Sequence, residues 1–260
     1  MSTLLLRLAG PMQSWGSGDR FGVRFTDREP SKSGVIGLVC AALGRPRSEP
    51  VDDLAALRMG VRVEREGRLM RDYHTTGGTH RKGDAYLIAT PAGKRTTGTI
   101  LSTRYFLADA DFLVGLEGED ALLEEIEAKL RAPKWQLSLG RKAFVPGLPP
   151  YLPGGGLRPG MPLLDALVGE PWPLPCADPP RHGGENGSFP VRMVLEVEPA
   201  GSNTVRTDQP LGAAFAERTF GPRWVQTRFA HARPGATPSA NEPLTIPLRS
   251  DIHVSLSAPA

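Results

Sequence analysis

The sequence predicts an α+β fold with its elements in the order strand, helix, strand, strand, helix, strand. Two observations carry this prediction: short apolar runs typical of buried strands, and two segments whose apolar residues recur at helical spacing. Composition is consistent with such a fold, because 40% of the 260 residues are hydrophobic and 23% are charged, as is ordinary for a globular protein.

The first strand, the first helix and the second strand have clear boundaries. Residues Thr3 to Ala9 form an apolar run that ends at a Gly-Pro pair, which interrupts regular structure. Ser31 is a suitable N-cap for a helix whose apolar residues lie on one stripe, and Gly44 is a suitable stop. Apolar and polar residues then alternate over Met59 to Glu64, as expected of a second strand.

A long polar insert follows at about residues 74–103. It is rich in glycine, and a segment of this length in a compact domain is typical of a functional hairpin or loop that projects from the fold. Strand-like sequence flanks the insert, and a helix and a last strand follow: Leu69 to Tyr73, Arg104 to Leu107, Asp111 to Leu116, the helix Glu119 to Arg131, and Trp135 to Leu139.

The order of these elements is the ferredoxin-like βαββαβ arrangement shared by RRM-type RNA-binding domains. We expect it to occupy residues 1–152. Residues 153–260 are dense in proline and glycine and hold further strand-like runs, so we expect a β-rich C-terminal extension; the runs are Val191 to Val197, Trp224 to Ala230 and Leu244 to Leu256. Because such a fold hosts many functions, function has to be argued from particular residues.

Composition and motifs disfavour several classes of function. Two cysteines provide neither a disulfide framework nor a zinc motif. No P-loop or nucleophile motif occurs, and the grouping of Asp72, His74, His80 and Asp84 matches no standard metal spacing. We therefore expect no metal and no cofactor. The sequence contains no signal peptide and no apolar run of transmembrane length, so we expect a cytoplasmic protein without membrane contact.

Residues that suit RNA occur first at two places near the N-terminus. Gln13, Ser14 and Trp15 supply an amide, a hydroxyl and an indole, which suit base edges and base stacking. By themselves these residues favour a structural role, with Trp15 in the core and Gln13 capping a turn. Lys32 and Ser33 open the first predicted helix, whose N-terminus attracts phosphate. Ordinary capping with a solvated lysine explains this pair equally well.

Two further places are basic. The insert carries Arg81 and Lys82 and ends at Arg104, and a basic, glycine-rich projection suits a sugar-phosphate backbone. A solvated loop is the commoner fate of such a charge run. Arg141 and Lys142 follow a glycine at the end of the predicted last strand, where they form either a phosphate clamp or a solubilising turn.

Taken together, the motifs resemble the CasD family, RAMP-superfamily subunits of the CRISPR surveillance complex Cascade of subtype I-E. The resemblance rests on LRLAGPMQSWG at 6–16, PSKSGVIGL at 30–38, AALG at 41–44, RDYHT at 71–75, TRYFLADADFLV at 103–114 and LGRK at 139–142. The matches run in order over about residues 3–152, and the first is the most specific.

The resemblance implies an antiviral protein that binds RNA without cutting it. In that family a ferredoxin-like palm grips the repeat-derived 5′ handle of the crRNA. A thumb hairpin, here about residues 74–103, inserts against the neighbouring CasC backbone subunit, and the large subunit CasA docks nearby. Target DNA is met only through the complex. The palm contacts implied by the matching motifs are Gln13, Trp15, Lys32, Ser33, Arg141 and Lys142.

Two other functions stay open. In subtype I-C the related subunit is a metal-independent endoribonuclease that cuts repeat RNA with tyrosine, lysine and histidine side chains. Tyr73, His74 and Lys82 are the candidates here, with the histidine as general acid or base. The opening motif instead resembles systems in which CasE does the cutting. An RRM-like module bound to ribosomes or mRNA would explain the fold but not the ordered motifs.

Overall fold

The computed structural model describes residues 1–16, 22–77, 88–89, 95–96, 98–171, 189–211 and 219–232. These residues form a nine-stranded, mostly antiparallel sheet with few helices and a separate two-stranded pair. The strands are β1 (Ser2–Gln13), β2 (Val23–Arg24), β3 (Arg58–Arg65), β4 (Arg68–Thr76), β5 (Ile88–Ala89), β6 (Arg95–Thr96), β7 (Ile100–Gly118), β8 (Leu157–Arg158), β9 (Phe189–Glu196), β10 (Thr204–Leu211) and β11 (Thr219–Ala232). The helices are α1 (Lys32–Leu43), α2 (Asp52–Ala55), α3 (Asp120–Arg131), α4 (Leu163–Gly169) and a 3₁₀ turn, Pro199–Gly201.

The sheet is organised around β7, which is long enough to have different neighbours along its length. Across the sheet the order is β10-β11-β9-β3-β7-β1-β8. The C-terminal part of β7 lies between β1 and β3. Its N-terminal part pairs with β4, from Arg68 opposite Ala108 to Thr76 opposite Ile100, and with the short parallel strand β2. This N-terminal part carries the candidate site.

At β1 both faces of the sheet are covered, and alternate residues of the strand point to the two faces. On β1, Leu4, Leu6 and Leu8 pack with α1 and α3 in the main core. Leu5, between them, packs in a second cluster with α4 and β9, where Leu167 and Met193 are fully buried. The α+β class predicted from the sequence is thus confirmed.

The first helix agrees with its sequence signals. α1 has Ser31 at the N-cap position and ends at Gly44, whose φ of 76° is the left-handed conformation that glycine adopts readily. The strand predicted at Met59 to Glu64 and the helix predicted at Glu119 to Arg131 correspond to β3 and α3. The first strand does not stop at its Gly-Pro pair but continues to Gln13, because its pairing with β7 continues there.

The predicted last strand, Trp135 to Leu139, is wrong. The start of this segment instead lies against the end of α1. The backbone N–H groups of Lys134 and Trp135 donate to the carbonyls of Ala42 and Ala41, both at 3.0 Å. The short strand β8 and a bridge at Tyr151 pair with β1 at that edge. The complete ferredoxin-like order therefore stays a prediction.

The C-terminal residues continue the same sheet. β9 pairs with β3, with Gly60 opposite Leu195, and β11 and β10 follow outward. β9 and β11 confirm the predicted strands Val191 to Val197 and Trp224 to Ala230, whereas Leu244 to Leu256 lies outside the described residues. No helix in the described ranges is long and apolar enough to cross a membrane.

Candidate RNA-binding surface

Three arginines gather at the N-terminal part of β7. In the strand register Arg24 of β2 lies opposite Arg104 of β7, and Asp72 of β4 lies opposite Arg104 on the other side. Residues opposite one another on neighbouring strands point to the same face. Arg141 joins them from the loop after α3, because its Nη2 donates to the carbonyl oxygen of Tyr105 at 2.9 Å. We call Arg24, Arg104 and Arg141 the arginine cluster.

The arginine cluster is electrostatically strained. Burial, followed by the charges of Arg104 and Arg24, lowers the pKa of Arg141, and Asp72 opposes the shift. Burial and then Arg24 likewise lower the pKa of Arg104. Guanidinium groups nevertheless stay protonated in proteins. Three positive charges close to one carboxylate leave an excess of positive charge, which a phosphate group would neutralise with charge-assisted hydrogen bonds.

Aromatic residues follow the arginines of the cluster along the chain. Phe25 and Tyr105 come directly after Arg24 and Arg104, so their rings point to the opposite face of these strands. Phe25 stacks on Tyr105 with ring centroids 5.0 Å apart and planes 9° apart, and Phe25 is 55% exposed. The guanidinium of Arg141 lies 5.4 Å from the ring centroid of Phe144. The exposed ring of Phe25 can stack on a base whereas guanidiniums bind phosphates, so the two faces of these strands offer both kinds of contact with single-stranded nucleic acid. Phe25 and Tyr105 were not predicted from the sequence, although Phe25 directly follows a basic residue, Arg24.

A cleft of about 600 Å³ adjoins the arginine cluster. It lies between α1 and residues 135–142, and both Gly140 and Lys142, the neighbours of Arg141, line it. Ser33 lines it as well, so the structure brings together Ser33 and Lys142, which were predicted from separate motifs. Ser14 lies at the edge of the arginine cluster, where its hydroxyl donates to the Tyr105 carbonyl at 3.3 Å.

Gln13 and Trp15 do not face the surface, which corrects their implied contacts with RNA. Gln13 is 0% exposed, and its amide nitrogen donates to the carbonyls of Leu8 and Ala110 at 2.9 and 2.8 Å. Its amide oxygen accepts a bond of 3.0 Å from the indole nitrogen of Trp15, which is 1% exposed. Their polar atoms are engaged inside the protein. The core position favoured for Trp15 is confirmed, whereas Gln13 bonds carbonyls of β1 and β7 and does not cap a turn.

Lys32 is also buried, and the phosphate site expected at the start of α1 holds a carboxylate. The side chain of Lys32 is 1% exposed, and its Nζ lies 3.0 Å from both carboxylate oxygens of Glu196. The backbone N–H of Lys32 donates to Asp208 at 2.7 Å, and Arg223 binds Asp208 through two bonds of 2.8 Å. The predicted contact between Lys32 and RNA is therefore wrong.

Of the alternative catalytic residues, the two that the structure describes, Tyr73 and His74, do not face one another. Tyr73 and His74 are consecutive residues of β4, so their side chains point to opposite faces. Tyr73 is 66% exposed, and His74 Nδ1 lies 3.4 Å from Asp72. Lys82 and Arg81 lie outside the described residues, as do His80 and Asp84. Among the residues that are described, no group of three or more histidine, cysteine or acidic side chains is arranged to hold a metal ion.

Comparison with known proteins assigns the chain to a family. The sequence model of the family described as CRISPR-associated protein (Cas_Cas5) matches residues 3–226, and the chain belongs to this family. A curated relative, the CRISPR system Cascade subunit CasD of Escherichia coli strain K12, is 35% identical over 159 residues. That match spans 55% of this chain and 66% of the relative, just under two thirds of its length.

Solved structures agree with this assignment. One, described as the crystal structure of a Cas protein, is 42% identical with a TM-score of 0.67, and the match covers 90% of this chain and 98% of that one. Another, from a CRISPR RNA-guided surveillance complex, is 36% identical with a TM-score of 0.71 and covers 88% and 90%. The resemblance to the CasD family inferred from the motifs is confirmed.

Proposed function

We propose that this chain is a non-catalytic, RNA-binding subunit of a type I-E CRISPR Cascade complex. Its ferredoxin-like palm binds the 5′ handle of the crRNA, and the insert contacts the CasC backbone subunit. The large subunit CasA docks nearby, and target DNA is met only through the complex. The similarity to a Cascade subunit and to a surveillance-complex structure supports this proposal.

The observation that carries the proposal is the arginine cluster, in which Arg24 and Arg104 are paired across β2 and β7 and Arg141 is held by the Tyr105 carbonyl. Its guanidinium groups are held close together by a backbone bond and by strand pairing, so they are preorganised for a chain of phosphates. Phe25, on the opposite face of the same strands, offers an exposed ring on which an unpaired base can stack. A duplex buries its bases, so such a contact favours a single strand such as the handle.

The placement of Tyr73 and His74 supports a binding role over cleavage. A metal-independent nuclease needs its acid and base at the same phosphate, within hydrogen-bond reach of the reacting atoms. Side chains on opposite faces of β4 do not meet that requirement.

The binding proposal is tested by the salt dependence of affinity for repeat-derived RNA. Each phosphate that is neutralised on a single strand contributes about 0.7 to the slope of log affinity against log salt. The double variant Arg104→Ala/Arg141→Ala should bind more weakly, with a slope shallower by about 1.4. Lys129→Ala, which removes an exposed cation on α3, is the control and should keep the wild-type slope. Equal slopes in all three proteins would overturn the proposed surface.

Cleavage is tested separately with the same labelled RNA, with and without EDTA. We expect the RNA to stay intact over the time in which binding reaches equilibrium. Specific cleavage that survives EDTA and is lost in His74→Ala would replace the proposal with the endoribonuclease alternative.

A further inference from the structure

The cleft beside the arginine cluster has the size and chemistry of a ligand site in its own right. Its volume of about 600 Å³ lies within the range of pockets that bind small organic molecules. One wall is α1, where Gly34 and Gly37 present little side-chain bulk. The other wall is the segment 135–142, the one that was wrongly predicted to be a strand.

Trp135 provides an aromatic surface in this cleft. The side chain lines the cleft, and the residue is 46% exposed, which is unusual for a tryptophan in a folded protein. Its backbone N–H is bonded to Ala41 at the end of α1, and that of Lys134 to Ala42, so the backbone that carries the indole is anchored to α1. A tryptophan has only two side-chain torsions, so it loses little conformational entropy when a second ring stacks on it.

The remaining lining residues supply positive charge and hydrogen-bonding groups. Lys142 and Arg47 provide cations, whereas the charge of Arg45 is compensated by Asp53 at 2.6 and 2.9 Å. The lining residues include no carboxylate, and they add an amide and two hydroxyls, from Gln136, Ser33 and Ser138. A ligand with a flat ring, polar ring edges and negative charge would match all of these features.

We propose that the cleft binds one unstacked nucleotide of the RNA strand whose phosphates are held by the arginine cluster. The base stacks on Trp135, its polar edge meets Gln136, Ser33 and Ser138, and its phosphate faces Lys142 and Arg47. Continuity along the chain supports this path, because Arg141 belongs to the cluster while Gly140 and Lys142 line the cleft. The inference rests on the proposed function, since it assigns a place to one nucleotide of the same RNA.

The test uses a series of handle RNAs, each with a single abasic position, against the wild type, Trp135→Ala and Trp135→Phe. In the wild type one abasic position should weaken binding by roughly tenfold, as expected for loss of one stacked base. Trp135→Ala should bind the intact RNA more weakly by a similar factor and show no further loss at that position. Trp135→Phe should keep most of the affinity. Trp224→Ala, at a tryptophan on β11 that is 37% exposed, is the matched control and should behave as wild type.

The outcomes separate the two proposals. If the wild type binds the handle and Trp135→Ala binds every RNA equally well, the nucleotide pocket is overturned while the proposed function stands. If the wild type does not bind the handle, both the proposed function and the nucleotide pocket are contradicted. A nucleoside monophosphate that binds the wild type but not Trp135→Ala, with no abasic position distinguished, would assign the cleft to a free nucleotide instead.

Discussion

At the residue scale, the first turn of α1, a position suited to an external anion, is occupied by a carboxylate of the protein itself. Asp208 accepts the backbone N–H of Lys32 at 2.7 Å and is held by Arg223, while Lys32 Nζ pairs with Glu196. One of the N–H groups that would attract a phosphate, that of Lys32, therefore donates to β10, and the lysine ammonium donates to β9. Lys32 and its partners tie the first turn of α1 to the C-terminal strands.

We predict that Lys32→Ala affects stability and not RNA contacts. Removal of one partner of a buried ion pair leaves the other unpaired, which costs about 3–5 kcal/mol. Denaturant unfolding should show this loss. The folded variant should keep the wild-type salt slope for RNA. Lys142→Ala is the matched comparison and should show the converse, with intact stability and a shallower slope. A shallow slope in Lys32→Ala with unchanged stability would contradict the assignment.

Glu64 makes stability depend on pH. Burial raises its pKa from 4.5 to about 7, although Arg62 Nε lies 2.6 Å from its carboxylate and opposes the shift. The folded protein therefore holds this proton more tightly than the unfolded chain does. The stabilising contribution is complete below pH 4.5 and is lost as the pH rises through 7.

We expect the free energy of unfolding of the wild type to fall between pH 5.5 and pH 8 by more than that of Glu64→Gln, which cannot titrate there. Urea unfolding of both proteins at the two pH values measures this difference. The comparison is between changes with pH, so the loss of the ion pair with Arg62 in the variant does not obscure it. Parallel behaviour of the two proteins would show that Glu64 keeps an ordinary pKa.

At the element scale, the sequence predicted those helices and strands that depend on neighbouring residues of the chain. α1 and α3 have helical spacing of apolar residues, and Gly44 stops α1 at a left-handed φ of 76°. α4, only seven residues long, lies in a region dense in proline and glycine and has too few turns to show a period. The segment 135–139 has strand-like composition, but its partner is the end of α1, and that choice depends on tertiary contacts.

The residues of the candidate site also separate into those that the sequence predicted correctly and those whose position depends on distant contacts. The sequence identified Arg104, Arg141, Lys142, Ser33 and Ser14, all of which lie at the arginine cluster or the cleft. It could not show that Lys32 is buried, because its partner Glu196 is 164 residues away. Contacts at such separation leave no periodicity or spacing in the sequence.

Gly140 is the element-scale feature that sets the position of Arg141 and Lys142. Its φ of 89° is left-handed, and a Cβ there would lie 1.8 Å from the backbone oxygen of Ser14. We predict that Gly140→Ala moves the loop away from β1 and weakens RNA binding. The φ alone costs about 1–2 kcal/mol. Gly154→Ala, where a Cβ meets nothing within 4 Å, is the control. Titration with handle RNA measures the affinity, and thermal melting measures the stability. Equal affinities of Gly140→Ala and the wild type for handle RNA would contradict the prediction.

At the scale of the whole molecule, nine of the eleven described strands form one continuous sheet. β4 and β7 pair as far as Thr76 and Ile100, so the chain enters and leaves the insert at adjacent points. In the described part of the insert, β5 pairs with β6 and neither belongs to the nine-stranded sheet. The arginine cluster and the cleft draw on residues outside 78–97.

We therefore predict that the insert serves assembly more than folding. Replacement of residues 78–97 by a short Gly/Ser linker should leave the melting temperature and the affinity for handle RNA close to those of the wild type, because loop closure depends only weakly on length. The same change should abolish stable joining to an assembly of CasC and guide RNA, measured by co-purification. A Gly/Ser linker of the original length is the control. It distinguishes the effect of losing the side chains from the effect of shortening the segment. Unfolding of either variant would show that the insert is part of the core. Normal assembly of both variants would show that the insert is not needed for contact with CasC.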